Sequence, residues 1–274
     1  MRRGRIDIQT ILTIAGFDPS SGAGITADLA VIAAHGFFGT SAITALTVQS
    51  TLGVTGTHVP AASVLRDTLE CLAADLPPAG VKIGMLGSRE NVAIVVEFLR
   101  QLRSAGWTIP VVLDPVIRSS SGRELLSRPG LDLLLEQLLP LVDWVTPNLA
   151  ELGALTCLNV VDEASMEAGV EQLMAKCATL NVVATGGHLD SADDFIATVD
   201  GRRKWHRAQK IISRATHGTG CAYSTALVCN LVKGNDSLVA ARHAKDYVAG
   251  AILRAALIGN GHGPMELLWP LRRT

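Results

Sequence analysis

An α/β fold built on a mostly parallel sheet is the class this sequence predicts, and three observations predict it. Short apolar, β-branched runs recur along the chain, each ending in a cluster of Gly, Asp, Pro, Thr or Asn, which is the form of strands buried on both faces. Stretches with helical periodicity lie between them, so strand and helix alternate and the sheet is covered on both sides. The 274 residues are 48% hydrophobic, enough for one large core, and α/β folds of this length are often one domain. No internal repeat or low-complexity linker divides the chain. Residues 1–274 are therefore expected to form a single domain, with 1–9 as a flexible N-terminal extension.

The elements follow in order. Residues 11–16 are a buried strand ending at Gly16. A turn of small residues, 17–24, leads into a helix over 25–35. Strand, turn and helix in this order present a site at the strand ends of an α/β sheet. On residue physics alone, Asp18 reads as a turn former and Asp28 as an exposed first-turn acid favoured by the helix dipole. A second strand spans 40–48, and Pro60 opens a helix to about Asp75. A brief strand at 80–86 stops in a Gly turn. The clearest amphipathic helix spans 91–102, with Val92, Val95, Val96, Leu99 and Leu102 on one face. Residues 110–115, 144–148 and 181–187 are three more buried strands with polar ends, the first carrying Asp114. Residues 195–199 and 204–209 flank Asp200-Gly201, which predicts an antiparallel hairpin added to the sheet edge. A helix runs from the turn at 216–221 to about Leu231. Asp236 or Ser237 caps a last helix to about Ile258, and 259–264 is expected to be a flexible loop.

Composition excludes several classes. A net charge of −1 with 18% charged residues gives no sign of a nucleic-acid or polyanion partner. The five cysteines, Cys71, Cys157, Cys177, Cys221 and Cys229, form no CxxC pair, which points to reduced thiols and a cytoplasmic protein. The basic residues 2–5 are followed by no signal-peptide apolar core. No uncharged apolar run reaches membrane-spanning length.

The chemistry centres on Thr216-His217-Gly218-Thr219-Gly220-Cys221, a glycine-rich turn that runs into an apolar helix. Glycines let the backbone approach a ligand, and the helix start offers N–H groups and positive dipole. A phosphate or a developing negative charge fits there. The other reading is a loop capping a core helix, with Cys221 as a small buried hydrophobe. Asn148 and Glu151 share one helical face and suit a Mg²⁺ bound partly through water. They suit a capping box equally well. No Walker motif, GxGxxG fingerprint or GxSxG elbow occurs. His35, His58, His206 and His243 read as ordinary surface or core residues.

Taken together, seven segments resemble the hydroxymethylpyrimidine/phosphomethylpyrimidine kinases of thiamine biosynthesis. They are residues 12–29, 43–51, Lys82-Ile83-Gly84-Met85-Leu86, Val112-Leu113-Asp114-Pro115-Val116, 146–151, Gly186-Gly187-His188-Leu189 and 216–221, in the family's order. The resemblance implies a ribokinase-like fold and Mg²⁺-dependent transfer of a phosphoryl group from ATP to hydroxymethylpyrimidine, its monophosphate, or both. It implies that Gly16, Ala23, Asp28, Gln49 and Met85 bind the pyrimidine. Cys221 would be the base, its thiolate favoured at a helix N-terminus. The N–H groups of Gly218, Thr219, Gly220 and Cys221 would stabilise the phosphoryl in transfer. Asp114 and Glu151 would arrange the metal, and Asn148, Thr185, Gly187 and Thr216 the nucleotide. Relatives often form homodimers.

Two positions depart from the family pattern. Ser120 and Thr185 stand where lysines usually face the phosphates, with Arg118 near the first. This motivates a second reading, a catalytically weakened pyrimidine-binding protein. A third is a pyridoxal or pyridoxine kinase of the same fold.

Overall fold

The computed structural model describes residues 8–119, 122–187 and 191–272. The expected N-terminal extension thus lies almost wholly outside the described residues, as do Ser120, His188 and Leu189. β1 (Thr10–Phe17) turns into α1 (Gly24–Ala34), followed by the hairpin of β2 (Phe38–Ser50) and β3 (Gly53–His58). α2 (Ala62–Asp75), β4 (Pro78–Ile83), α3 (Arg89–Ser104) and β5 (Val111–Leu113) come next. α4 (Arg128–Leu133) continues through a π turn and a 3₁₀ turn to β6 (Trp144–Val145). Then follow α5 (Leu149–Thr156), α6 (Glu163–Lys176), β7 (Asn181–Ala184), β8 (Asp194–Ala197), β9 (Arg203–His206), α7 (Thr219–Val232) and α8 (Ser237–Leu253).

Among the described residues, nine strands form one sheet in the order β3-β2-β1-β4-β5-β6-β7-β8-β9. The six from β2 to β7 in that order run parallel. β3 pairs antiparallel with β2 at one edge, and β8 and β9 form the expected antiparallel hairpin at the other. One face buries Leu12, Ile14, Val81 and Ile83 against side chains of α3 to α6. The other buries Ile11, Val112 and Trp144 against α1, α7 and α8. The order reverses between β1 and β4, so a crevice at the carboxyl ends of these two strands is where such a sheet binds ligands.

Three features there differ from the sequence reading. β3 was not expected, because its stretch carries two glycines and no apolar run; it forms as an edge strand, paired from Leu46↔His58 to Ser50↔Gly53. The last helix ends at Leu253 rather than Ile258, because the chain turns back to pack on the β2–β3 turn. A Cβ on Gly261 would sit 2.0 Å from the Thr51 carbonyl oxygen. The loop 259–264 is accordingly pinned rather than loose: Gly261 N–H donates to Thr51 Oγ1 (3.3 Å) and Gly263 N–H to the Arg214 carbonyl (2.9 Å).

The segment after β4 is tied as firmly. Thr44 Oγ1 donates to the Met85 carbonyl. Buried Asn91 donates from Nδ2 to the Thr44 carbonyl (2.9 Å) and the Leu86 carbonyl (2.7 Å). Asn91→Ala leaves both carbonyls without that donor, and is expected to lower unfolding free energy by about 2 kcal/mol. Urea unfolding monitored by circular dichroism checks this; a loss under about 0.5 kcal/mol would show that Asn91 does not hold the segment.

Candidate active site

The site is organised by charge buried between β1 and β4. Thr13 and Lys82 are cross-strand neighbours, and both point to the face covered by α1 and α7. Lys82 is fully buried, and its Nζ lies 2.8 Å from Oδ2 of Asp28, itself 0% exposed. Thr13 Oγ1 donates to the same oxygen (2.6 Å), and Thr225 Oγ1 of α7 donates to Oδ1 (2.8 Å). Gly84 makes room for the ammonium: a Cβ there would lie 2.8 Å from Nζ. Although burial favours the neutral amine, Asp28, Cys221 and Asp114 hold the Lys82 pKa above its ordinary value. The expectation of Asp28 as an exposed first-turn acid is therefore overturned.

Next to this pair stands the start of α7. Gly218 is its N-cap with φ +77°, and no side chain caps the helix. The left-handed conformation and the close approach both require glycine here, since a Cβ would meet the Gly22 carbonyl oxygen at 1.9 Å. The first-turn N–H groups of Thr219, Gly220 and Cys221 lie beside Asp114; a Cβ on Gly220 would be 3.8 Å from Asp114 Oδ2. The half-buried Cys221 thiol lies beside the Asp114 carboxyl and the Gly24 N–H. Its titration corrects the sequence reading. Burial pushes the thiol up to about 12; Lys82 opposes this, while Asp114 and Asp28 add to it. A helix N-terminus alone does not yield a standing thiolate here.

Asp114, at the end of β5, lies close enough to Glu151 of α5 for its charge to act on it. Burial, with the Asp114 charge adding, pushes Glu151 up to about 8. The Asp114 carboxyl is also raised by burial, against the pull of Lys82. Glu151 completes a capping box with Asn148: Asn148 N–H donates to Oε2 (2.9 Å) and Glu151 N–H to Asn148 Oδ1 (3.0 Å). The capping reading of this pair is thus realised. It leaves Glu151 Oε1 outside the box. Among the described residues no group of three or more His, Cys, Asp or Glu could hold a metal. Two buried carboxyls whose proton affinity burial raises, Glu151 further by the Asp114 charge, nevertheless fit Mg²⁺, which takes few protein ligands and completes its shell with water and phosphate oxygens.

Gly16, Ala23, Gln49 and Met85 gather around the β1–α1 turn. Met85 Sδ packs on Gly16, where a Cβ would be 2.9 Å away. Asp18 is the turn former that the sequence suggests, accepting from Ser20 N–H (2.8 Å), Ser20 Oγ (2.7 Å) and Ala23 N–H (2.9 Å). Gln49 reaches it through His217. Thr185 joins Asn148 by a parallel bridge, with Gly187 exposed two residues on. Thr216 stands on the other side, its Oγ1 3.4 Å from His262 Nδ1. Sequence reasoning gave no role to Lys82, Thr13, Thr225 or His217. The available signal was Lys82 itself, a charge between Val81 and Ile83 in a run that reads as fully buried.

Known proteins resemble this chain in sequence and fold. Residues 18–266 match the family model described as phosphomethylpyrimidine kinase. A hydroxymethylpyrimidine/phosphomethylpyrimidine kinase of Haemophilus influenzae is 40% identical over 263 residues, covering 94% of this chain and 96% of that protein. The crystal structure of a phosphomethylpyrimidine kinase from Clostridium difficile 630 superposes with a TM-score of 0.77 at 32% identity, over 89% of this chain and 99% of that one. An ADP complex of Bacillus subtilis pyridoxal kinase gives 0.85 at 25% identity, over 97% of this chain and 100% of that one. The fold is ribokinase-like, as the resemblance implied.

Removing one partner of a buried ion pair leaves an uncompensated charge, so Lys82→Met is expected to cost about 3–5 kcal/mol. Adding Asp28→Asn should recover part of that loss. Chemical denaturation of the single and double variants checks it; a double variant less stable than Lys82→Met would contradict the pairing.

Proposed function

The chain belongs to the phosphomethylpyrimidine kinase family, and from that membership we propose that it transfers the γ-phosphoryl group of ATP to hydroxymethylpyrimidine, its monophosphate, or both, in thiamine biosynthesis. The observation that carries the reading is the meeting of the uncapped α7 N-terminus, Cys221, Asp114 and Lys82 at the reversal of strand order.

Phosphoryl transfer asks little covalent chemistry of a protein; it asks for position and for charge where charge develops. In this proposal the acceptor lies among Gly16, Ala23, Gln49 and Met85, with its hydroxyl toward Cys221. The Cys221 side chain, its own proton first released to solvent, takes the hydroxyl proton as a thiolate while oxygen bonds to phosphorus and ADP leaves. The N–H groups of residues 218–221 hold the transferring oxygens, the part that such donors play at a developing oxyanion. Asn148, Thr185, Gly187 and Thr216 would bind the nucleotide, and Asp114 and Glu151 would hold Mg²⁺. When bound, that ion supplies positive charge against the phosphates and the carboxylates that raise the thiol. This matters more here because Thr185 brings no cation and Lys82 is committed to Asp28.

A cytoplasmic location and a homodimer belong to the same proposal. Five free thiols support the first. Exposed Phe38, Leu46, Val48 and Leu52, on β2 and the turn after it, support the second. No helix of the described residues is long and apolar enough to cross a membrane.

ADP release in the presence of each acceptor tests the reading. Acceptor-dependent turnover with hydroxymethylpyrimidine is expected to exceed that with pyridoxal, and to vanish with excess chelator. Cys221→Ala should lower kcat by about 10²–10⁴-fold, the usual share of a general base. Turnover no higher than without acceptor would contradict the function; an unimpaired Cys221→Ala would contradict the base.

A further inference from the structure

His217 stands directly before the anion turn, and the reaction above assigns it nothing. Its ring meets two other segments of the site. Nε2 lies 2.8 Å from Asp18 Oδ2 and 2.9 Å from one end of the Gln49 amide. The other end of that amide is 3.1 Å from Thr47 Oγ1, and Thr47 Oγ1 donates to the Phe17 carbonyl (2.9 Å). Gly22 abuts the ring edge at Cδ2, where a Cβ would come within 2.1 Å. The His217 backbone N–H donates to the Gly263 carbonyl (3.3 Å).

These contacts fix hydrogens that coordinates do not show. A bare Nε2 would face the Asp18 carboxylate lone pair to lone pair, so Nε2 carries the proton and donates it. The structure sets Gln49 Nε2 beside this nitrogen, which would point donor at donor, so the amide is turned over: the atom beside the ring is Oε1, sharing the His217 Nε2 hydrogen with Asp18. The Gln49 NH₂ then faces Thr47 Oγ1, whose own single proton goes to Phe17. In this orientation no donor faces a donor. Fixed this way, Gln49 keeps one N–H and one oxygen lone pair free of protein partners among the described residues. They form a donor–acceptor pair in one order only.

We propose that His217 is a specificity-determining positioning residue: it locks the Gln49 amide in the orientation that complements an aminopyrimidine edge, and so selects aminopyrimidine alcohols over ring alcohols without that edge. This rests on the pyrimidine kinase reading. It adds how the amide is prevented from turning over.

A double-mutant cycle tests it, with kcat and KM measured for hydroxymethylpyrimidine and pyridoxal in wild type, His217→Ala, Gln49→Ala and the double variant. His217→Ala should raise KM for the pyrimidine about tenfold, shift kcat less than about threefold, and narrow the preference over pyridoxal, as loss of one well-placed hydrogen bond does. The double variant should be no worse than Gln49→Ala alone. His217→Gln, which restores a donor at similar reach, should bring KM back to within about threefold of wild type. If His217→Ala does not fold, His217→Met carries the same expectation. Effects that multiply in the double variant, an equal loss for both acceptors, or no rescue by Gln would overturn the proposal alone. A wild-type chain with no pyrimidine-dependent turnover would overturn the parent reading and this one with it.

Discussion

A lysine and an aspartate, Lys82 and Asp28, sit paired at 2.8 Å where no solvent reaches them. Each charge alone would be costly to bury, by several kcal/mol. Together, and with Thr13 and Thr225 donating to the carboxylate, they fasten four elements at one point: β1, β4, α1 and α7. That point lies where the strand order reverses, so the constraint that stabilises the sheet–helix packing also decides where the first turn of α7 stands. A hydrophobic pair of similar size would serve the packing equally well or better. The charge therefore has its use in the electrostatics of the neighbouring groups.

Those groups form a balance that is incomplete without ligands. Asp114, Glu151 and the Cys221 thiol are all held protonated more strongly than usual, chiefly by burial. Lys82 is the cation that works against this, and Asp28 already takes much of its charge. An anion-binding helix start beside buried carboxylates makes chemical sense when a cation arrives with the nucleotide. In that proposal the protein keeps the acceptor side rigid, through Asp18, His217 and Gln49, and leaves the nucleotide side short of positive charge until it is filled. The alcohol proton is then lost late, as a loose phosphoryl-transfer transition state allows.

Much of this fold was legible in the sequence because buried parallel strands and amphipathic helices write their periods into the chain. The runs 11–16, 110–115 and 181–187 overlapped observed strands, the last two extending past the strand ends, and Asp200-Gly201 marked a real hairpin. β3 was not legible, since an edge strand needs only backbone pairing and its side chains stay half exposed. The pinned loop at 259–264 was not legible either: glycines that look like freedom in a sequence are here close approaches to Thr51. The anion turn was visible as a motif. Its partners were not, because Lys82, Thr13, Asp28 and Thr225 bond across separations of 15 to 197 positions and meet only through the β1–β4 register. The Cys221 thiol misled for the same reason: a helix dipole is local and readable, whereas the burial of the sulfur, and the carboxylates brought in by other strands and helices, are not.

The account is tested most directly by a crystal structure of the chain with a non-hydrolysable ATP analogue and hydroxymethylpyrimidine together. It predicts the terminal phosphate on the N–H groups of residues 218–221, the acceptor hydroxyl between that phosphate and the Cys221 sulfur, and Lys82 still paired with Asp28. A terminal phosphate seated away from the start of α7, or an acceptor hydroxyl out of reach of that sulfur, would contradict it.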